Sequence, residues 1–357
     1  MPNPSKSKIL FICPYFGKFP KYFNLWLKSC SYNRDIYWVV ITDDKYDGAV
    51  PSNVFIRNIS FDDFKAFVQS KFDFQISLNG AYKLCDYKPT YGYLFEEYLK
   101  EYTHWGFCDL DCIFGDIRKV IGENNLSGYE KIFGNGHMTI FRNTHDVNRR
   151  FMTKITRSYE SKYHKPIGDI ITYREILSSN DMFFFDEWNT CYWNRLYEHN
   201  INYIYEYLNI PVYKNFELIG DLYALSYSFK LIKDYTNEQG YIVDCDIQDM
   251  VFVWENGELS CKYVAGSDIS DKKLAYLHLQ KRDMCINFDN IEECSNYLII
   301  PNSFEEKPHT LTPEDIRRYS ADKPFEKAFT MEFFGEQAKN NIDYLKNLFP
   351  NGILSGM

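Results

Sequence analysis

Two nearly unbroken apolar runs, Ile9-Leu-Phe-Ile-Cys13 and Ile36 to Thr42, and a third strand-like stretch, Val54 to Ile59, constrain this chain more than any other feature. Each has the length of a strand; the first lacks the polar alternation of a strand with one wet face, so it is expected to be covered on both sides, and the other two are expected as a second and a third buried strand. Pro14 ends the first run, and Asp43-Asp44 ends the second. Between the first two, Tyr22 to Cys30 carries apolar residues at helical spacing. After the third, Ser60 is placed to cap a helix running to about Phe72. Strand-helix-strand alternation of this kind predicts an α/β fold with a mixed, mostly parallel sheet flanked by helices. Ligands of such sheets bind outside the carboxyl ends of the strands. Asp43 and the turn Pro14-Tyr15-Phe16-Gly17 fall there.

Further along, Lys88 to Tyr102 reads as a helix with Pro89 in its first turn, and Trp105 to Cys108 as a short strand. Lys131 to Phe133 and His137 to Arg142 flank Gly134-Asn135-Gly136, a hairpin signal. Helices are expected around Val147 to Glu160 and Asp169 to Leu177. The buried run Phe183-Phe-Phe185 ends at Asp186-Glu187, and a helix from Trp188 to His199 follows. Met250 to Trp254 and Leu259 to Val264 flank Glu255-Asn256-Gly257, a second hairpin. Lys272 to Gln280 mixes helical and strand signals, and a closing helix is expected from Pro324 to Phe349. A length of 357 residues accommodates a main domain, residues 5–285, and a C-terminal helical extension, residues 286–357.

The net charge of −9 argues against nucleic acid as the main partner, since phosphate backbones want a basic field. The 10 cysteines show no Cys-x-x-Cys pair, which points to free thiols in a reducing compartment. No apolar run has the length of a leader or a bilayer span, so the expected location is cytoplasmic. Peripheral contact with the inner face of the cell membrane stays open. Aromatic residues make up 18%, enough for a ring-rich core or for stacking on bases and sugars. The chain has no P-loop, no dinucleotide-binding glycine turn, no zinc-protease helix and no nucleophile elbow.

The sharpest chemical signal is Trp105-Gly-Phe-Cys-Asp109-Leu-Asp111-Cys-Ile-Phe-Gly115-Asp116. Side chains at i and i+2 of an extended chain share a face, so Asp109 and Asp111 leave a buried strand side by side. Together they offer hard oxygen ligands to Mg²⁺ or Mn²⁺, which in turn bridges diphosphate oxygens. The competing reading is a solvated turn.

The stretch from Lys83 to Ile117 resembles the donor-site region of nucleotide-sugar glycosyltransferases of the GT-A, Rossmann-like fold, especially bacterial capsule and lipopolysaccharide enzymes. The likeness rests on Lys83-Leu-Cys-Asp86-Tyr-Lys88-Pro89, then a helix, then the Asp-x-Asp strand. It implies a UDP-sugar donor held through Mn²⁺ or Mg²⁺ and a glycan or lipid-linked glycan acceptor. It also implies that Asp86 contacts sugar hydroxyls and Lys88 the phosphate or sugar. By the same resemblance His278 would be a third metal ligand and Lys281 a diphosphate contact. Asp186 or Glu187 would face the acceptor hydroxyl, as general base if the reaction inverts configuration. Tyr15, Phe16 and Asp43 are candidates for the base and ribose, and His137 and Arg142 for the acceptor side. Bland alternatives stand beside these: Asp86 and Asp186 as helix caps, His278 as a core histidine. A dehalogenase-type phosphatase also carries Asp-x-Asp, but near the chain start and with a different following pair. A nucleotidyltransferase and a non-catalytic glycan-binding module remain as rival classes.

Overall fold

The computed structural model describes residues 7–152, 155–156, 170–182, 226–228, 249–279, 284–291, 293–300 and 302–320. The chain divides into two compact units. The first comprises Met1–Lys18, Asp35–Asp109 and Glu123–Ile219, and the second Phe19–Arg34, Leu110–Gly122 and Gly220–Met357.

The first unit is built on a six-stranded sheet. Its strands are β1 (Ile9–Pro14), β2 (Ile36–Thr42), β3 (Val54–Asn58) and β4 (His104–Cys108), then, after β5 (Cys112–Phe114) of the second unit, β6 (Lys131–Asn135) and β7 (Met138–Arg142). The order across the sheet is β3-β2-β1-β4-β7-β6. β1 pairs in parallel with both β2 and β4, and β2 with β3, whereas β4–β7 and β7–β6 are antiparallel. The mixed, mostly parallel α/β sheet expected from the apolar runs is therefore present. Strand order reverses at β1: the chain first moves outward through β2 and β3, then returns to place β4 on the other side. A crevice at such a switch point is where open α/β sheets bind ligands.

One core of this unit gathers Leu10, Ile12, Phe64, Val68, Tyr87, Tyr91, Trp105, Phe107, Phe141 and Leu177. The helix Phe61–Gln69 contributes Phe64 and Val68, and Ser60 caps it by accepting the Asp63 amide at 3.1 Å. Within β4, Gly106 sits where no side chain fits. A Cβ there would lie 2.5 Å from the Thr139 carbonyl oxygen and 2.8 Å from the Phe11 ring. The carbonyl belongs to the β7 ladder and has no room to retreat. Gly106→Ala is expected to cost about 1–3 kcal/mol, read as a lower urea midpoint with an unchanged slope.

Four sequence expectations change. Lys88 to Tyr102 is not one helix. A 3₁₀ segment spans Ala81–Thr90, a single α-turn Tyr91–Leu94, and a second 3₁₀ turn Glu96–Tyr98. Three residues per turn eclipse side chains three apart, and that stacks Lys83 over Asp86. Residues 155–156 pair as a strand, β8 (Ile155–Thr156), with β9 (Ile170–Ile171), rather than continuing a helix from Val147. The next helix starts only at Tyr173, because Thr172 and Glu175 form a capping box there. In the hairpin Asn135 pairs with Met138, so the turn is Gly136-His137, displaced by an irregularity between Ile132 and Asn135. The apolar run expected at residues 183–185 and the helices expected at 188–199 and 324–349 lie outside the described residues.

The second unit holds two sheets. The smaller has the order β10-β14-β5, with β10 (Ser226–Ser228) and β14 (Tyr276–His278). The larger contains β11 (Met250–Glu255), β12 (Glu258–Ala265) and β13 (Asp268–Leu274), then β15 (Cys285–Asn287), β16 (Asn296–Ile300) and β17 (Ser303–Glu306). Its order is β13-β12-β11-β16-β17-β15. Lys272 to Gln280 thus resolves as strand over most of its described residues. The β11–β12 turn uses Asn256 and Gly257 at φ 49° and 86°, the left-handed pair a tight hairpin needs. Alternation along β11 sorts the core: Phe252 and Trp254 pack with Leu25, Ile113 and Leu277, while Val251 and Val253 meet Ile316 of the helix Pro313–Ser320.

Candidate metal and nucleotide site at the end of the fourth strand

β4 is buried along its whole length and delivers Asp109 at its carboxyl end, beside β1 at the switch point. The Asp109 amide donates to the His137 carbonyl at 2.9 Å, so the β6–β7 turn holds this backbone in place. Lys88 comes from the 3₁₀ segment, and its Nζ lies 2.8 Å from Asp109 Oδ1. The same ammonium donates to the Gly136 carbonyl at 2.7 Å and stands 5.3 Å from the Phe107 ring centre.

Two residues on, Asp111 leads into β5. β5 pairs antiparallel with β14, in the register Cys112 to His278 and Phe114 to Tyr276. The Leu279 amide donates to the Asp111 carbonyl at 2.7 Å and closes that ladder. This register brings His278 Nε2 to 3.2 Å from Asp111 Oδ1, with both residues buried. One ligand atom each from Asp109, Asp111 and His278 lies within 4.8 Å of the others. Two carboxylate oxygens and one imidazole nitrogen form a donor set suited to Mn²⁺ and acceptable to Mg²⁺. Asp109 and Asp111 crowd like charge into a small volume, which a cation offsets. The residues present therefore fit a divalent ion.

Around the carboxyl end of β1, the Gly17 amide donates to Asp43 Oδ1 at 2.8 Å, and Gly17 takes φ 119° to do so. Tyr15 donates its hydroxyl to the Lys18 carbonyl at 2.8 Å. Phe16 turns toward the core, with its ring centre 5.0 Å from Phe61 and 5.2 Å from Phe64. Asp86 is wholly buried, and its Oδ2 accepts Lys83 Nζ at 2.7 Å. Lys83 also donates to the carbonyls of Ile176 and Asp181. His137 is half-buried beside Asp109, whereas Arg142 bonds the Ser127 carbonyl. Asp186, Glu187 and Lys281 lie outside the described residues.

Lys83 enters the sequence motif only as its first residue, with no role of its own. Its one local signal is a Lys-x-x-Asp spacing. Nothing nearby marks a lysine for burial, because the carbonyls that make burial tolerable come from Ile176 and Asp181, far along the chain.

A family model described as a family of unknown function, DUF6625, matches residues 11–308. No curated protein matches the chain. Among solved structures, the galactosyltransferase LgtC, crystallised with donor and acceptor sugar analogues, is similar at 10% identity. That match covers 62% of this chain and 76% of the other, with a TM-score of 0.25.

Proposed function

We propose that this chain, which belongs to the family of unknown function DUF6625, is a divalent-metal-dependent glycosyltransferase. It moves a hexose from a UDP-sugar to a hydroxyl of a surface polysaccharide or a lipid-linked glycan. The observation that carries this reading is the convergence of Asp109, Asp111 and His278 within 4.8 Å, just past the end of β4. The resemblance of Lys83 to Ile117 to glycosyltransferase donor sites supplies the substrate class.

When bound, Mn²⁺ or Mg²⁺ supplies charge stabilisation for a departing diphosphate. The protein's own residues do the rest. Asp109 and Asp111 would hold the cation just past the end of β4, and His278 would supply nitrogen through Nε2, the ring atom facing Asp111. Ligation through Nε2 leaves the imidazole proton on Nδ1. Lys88 contributes a fixed positive charge beside Asp109. Asp43 and Tyr15 are assigned to the nucleoside, and Lys281 to the diphosphate. Asp186 and Glu187 are assigned to the acceptor hydroxyl, as base for inversion or as positioning groups for retention. A lipid-linked acceptor would bring the protein to a membrane surface. Among the described residues no helix is long and apolar enough to cross one.

Calorimetric titration of UDP, first with Mn²⁺ and then with a chelator, tests the reading. Heat of binding that requires Mn²⁺ is the expected result. Binding indifferent to the chelator would remove the metal from the mechanism. Absence of binding in both conditions would reject the UDP donor, and GDP and CDP titrations would then decide whether any nucleotide donor remains.

A further inference from the structure

We propose that Lys88 is the resident counter-cation of Asp109 and that it ties metal binding to diphosphate binding. In the nucleotide-free protein it opposes the divalent ion. Once an anionic diphosphate has arrived, it favours the loaded site. The inference rests on the metal-dependent nucleotide reading above.

The geometry points to a fixed charge rather than a roaming one. Lys88 Nζ is 2.8 Å from Asp109 Oδ1, 2.7 Å from the Gly136 carbonyl oxygen and 5.3 Å from the centre of the Phe107 ring. A carboxylate, a carbonyl and a ring face all present negative potential, so each attracts the ammonium and holds it in place. The lysine side chain is 10% exposed and the aspartate side chain 32%. The more hidden partner is therefore the cation, and Asp109 keeps part of its side-chain surface exposed.

Charge accounting gives the coupling its sign. Without a divalent ion, the carboxylates of Asp109 and Asp111 and the Lys88 ammonium sum to a single net negative charge among these three side chains. A divalent ion held by Asp109 would reverse that sum to a single net positive charge, with the Lys88 ammonium a like charge bonded to the same carboxylate. A nucleoside diphosphate brings several negative charges and absorbs the surplus. Lys88 thus weakens the ion alone and strengthens the ion and diphosphate together. Linkage requires the effect to be reciprocal: whatever factor UDP adds to metal affinity, the metal adds to UDP affinity.

The test is titration of Mn²⁺ followed by the paramagnetic resonance of the free ion, with and without saturating UDP. The proteins are the wild type, Lys88→Gln, Lys88→Met and Lys88→Arg. Gln keeps donors for Asp109 and Gly136 without charge, and Arg keeps the charge. Both neutral variants should bind Mn²⁺ alone about tenfold more tightly than wild type, as expected for removal of one nearby like charge. Their UDP-induced gain in Mn²⁺ affinity should shrink by a similar factor, while Lys88→Arg stays near wild type. If Lys88→Met fails to fold, Lys88→Gln carries the same expectation. Neutral variants that bind Mn²⁺ alone no tighter than wild type would overturn the coupling and leave the metal site standing. A wild type that depletes no free Mn²⁺ in either condition would overturn the site itself and the coupling with it.

Discussion

Asp111→Asn is expected to leave the protein folded and to lower turnover of a UDP-sugar by roughly a thousandfold, equivalent to ~4 kcal/mol of lost transition-state stabilisation. The asparagine matches the carboxylate in shape and can still meet His278 Nε2, which lies 3.2 Å from Asp111 Oδ1. What it loses is the charge that makes the oxygen a strong ligand for a hard cation. The variant separates function from architecture because the two predict opposite shifts in stability. If Asp111 serves the fold, neutralising it weakens the contact with His278 and lowers the melting temperature. If it serves a metal, neutralising it relieves repulsion with Asp109, and the metal-free melting temperature holds or rises. The decisive measurement pairs a chelated melting curve with a UDP titration in Mn²⁺. An unchanged melting curve with lost UDP binding is the expected pair. Retained metal-dependent UDP binding would move the site away from Asp111.

Lys83→Met should destabilise the first unit by about 3–5 kcal/mol, because it strands a buried carboxylate. Lys83 is 2% exposed and Asp86 not at all, and the ammonium also satisfies the carbonyls of Ile176 and Asp181. The double variant Lys83→Met/Asp86→Leu should recover most of the loss, since replacing both members of a buried pair with apolar groups is often close to neutral. Urea denaturation of the two singles and the double gives the coupling directly. The same double variant also examines Asp86 as a donor-sugar contact. A stable double with lost turnover would support that role, and a stable double with full turnover would confine the pair to holding the 176–181 segment against the 3₁₀ turn. If Lys83→Met alone cost less than ~1 kcal/mol, the charges would not be buried as described.

Local order set much of this fold. The runs Ile9 to Cys13 and Ile36 to Thr42 became β1 and β2, because an apolar stretch without alternation has few ways to hide both faces other than inside a parallel sheet. Val54 to Ile59, expected as a third buried strand, became β3, an edge strand in which Val54 is buried and Phe55, Arg57 and Asn58 are exposed, because among the described residues it has a partner strand on one side only. Asn256-Gly257 marked a hairpin because few other residue pairs accept left-handed backbone twice in succession. Asp109 and Asp111 stood out because paired acids rarely follow a buried strand without a partner for their charge. Where neighbouring residues alone decided the energy, the chain announced its structure.

Distant contacts decided the rest. The 3₁₀ segment Ala81–Thr90 has the composition of an ordinary helix start, yet the stacking of Lys83 on Asp86 and the carbonyls of Ile176 and Asp181 favour three residues per turn. Local pattern fails for the same reason at Lys272 to Gln280, where β13 and β14 owe their strand character to partners in β12 and β5. His278 shows the difference most clearly. Its neighbours in sequence say nothing about Asp111, and only the antiparallel register of β14 on β5 sets the imidazole 3.2 Å from that carboxylate. Lys88 likewise meets Asp109 only because the 3₁₀ segment ends beside the β6–β7 turn that supplies the Gly136 carbonyl. Side-chain periodicity records which faces are buried. It does not record which distant backbone satisfies a given strand edge or which buried charge finds its partner, because those choices are made by hydrogen-bond and charge pairing across the assembled chain.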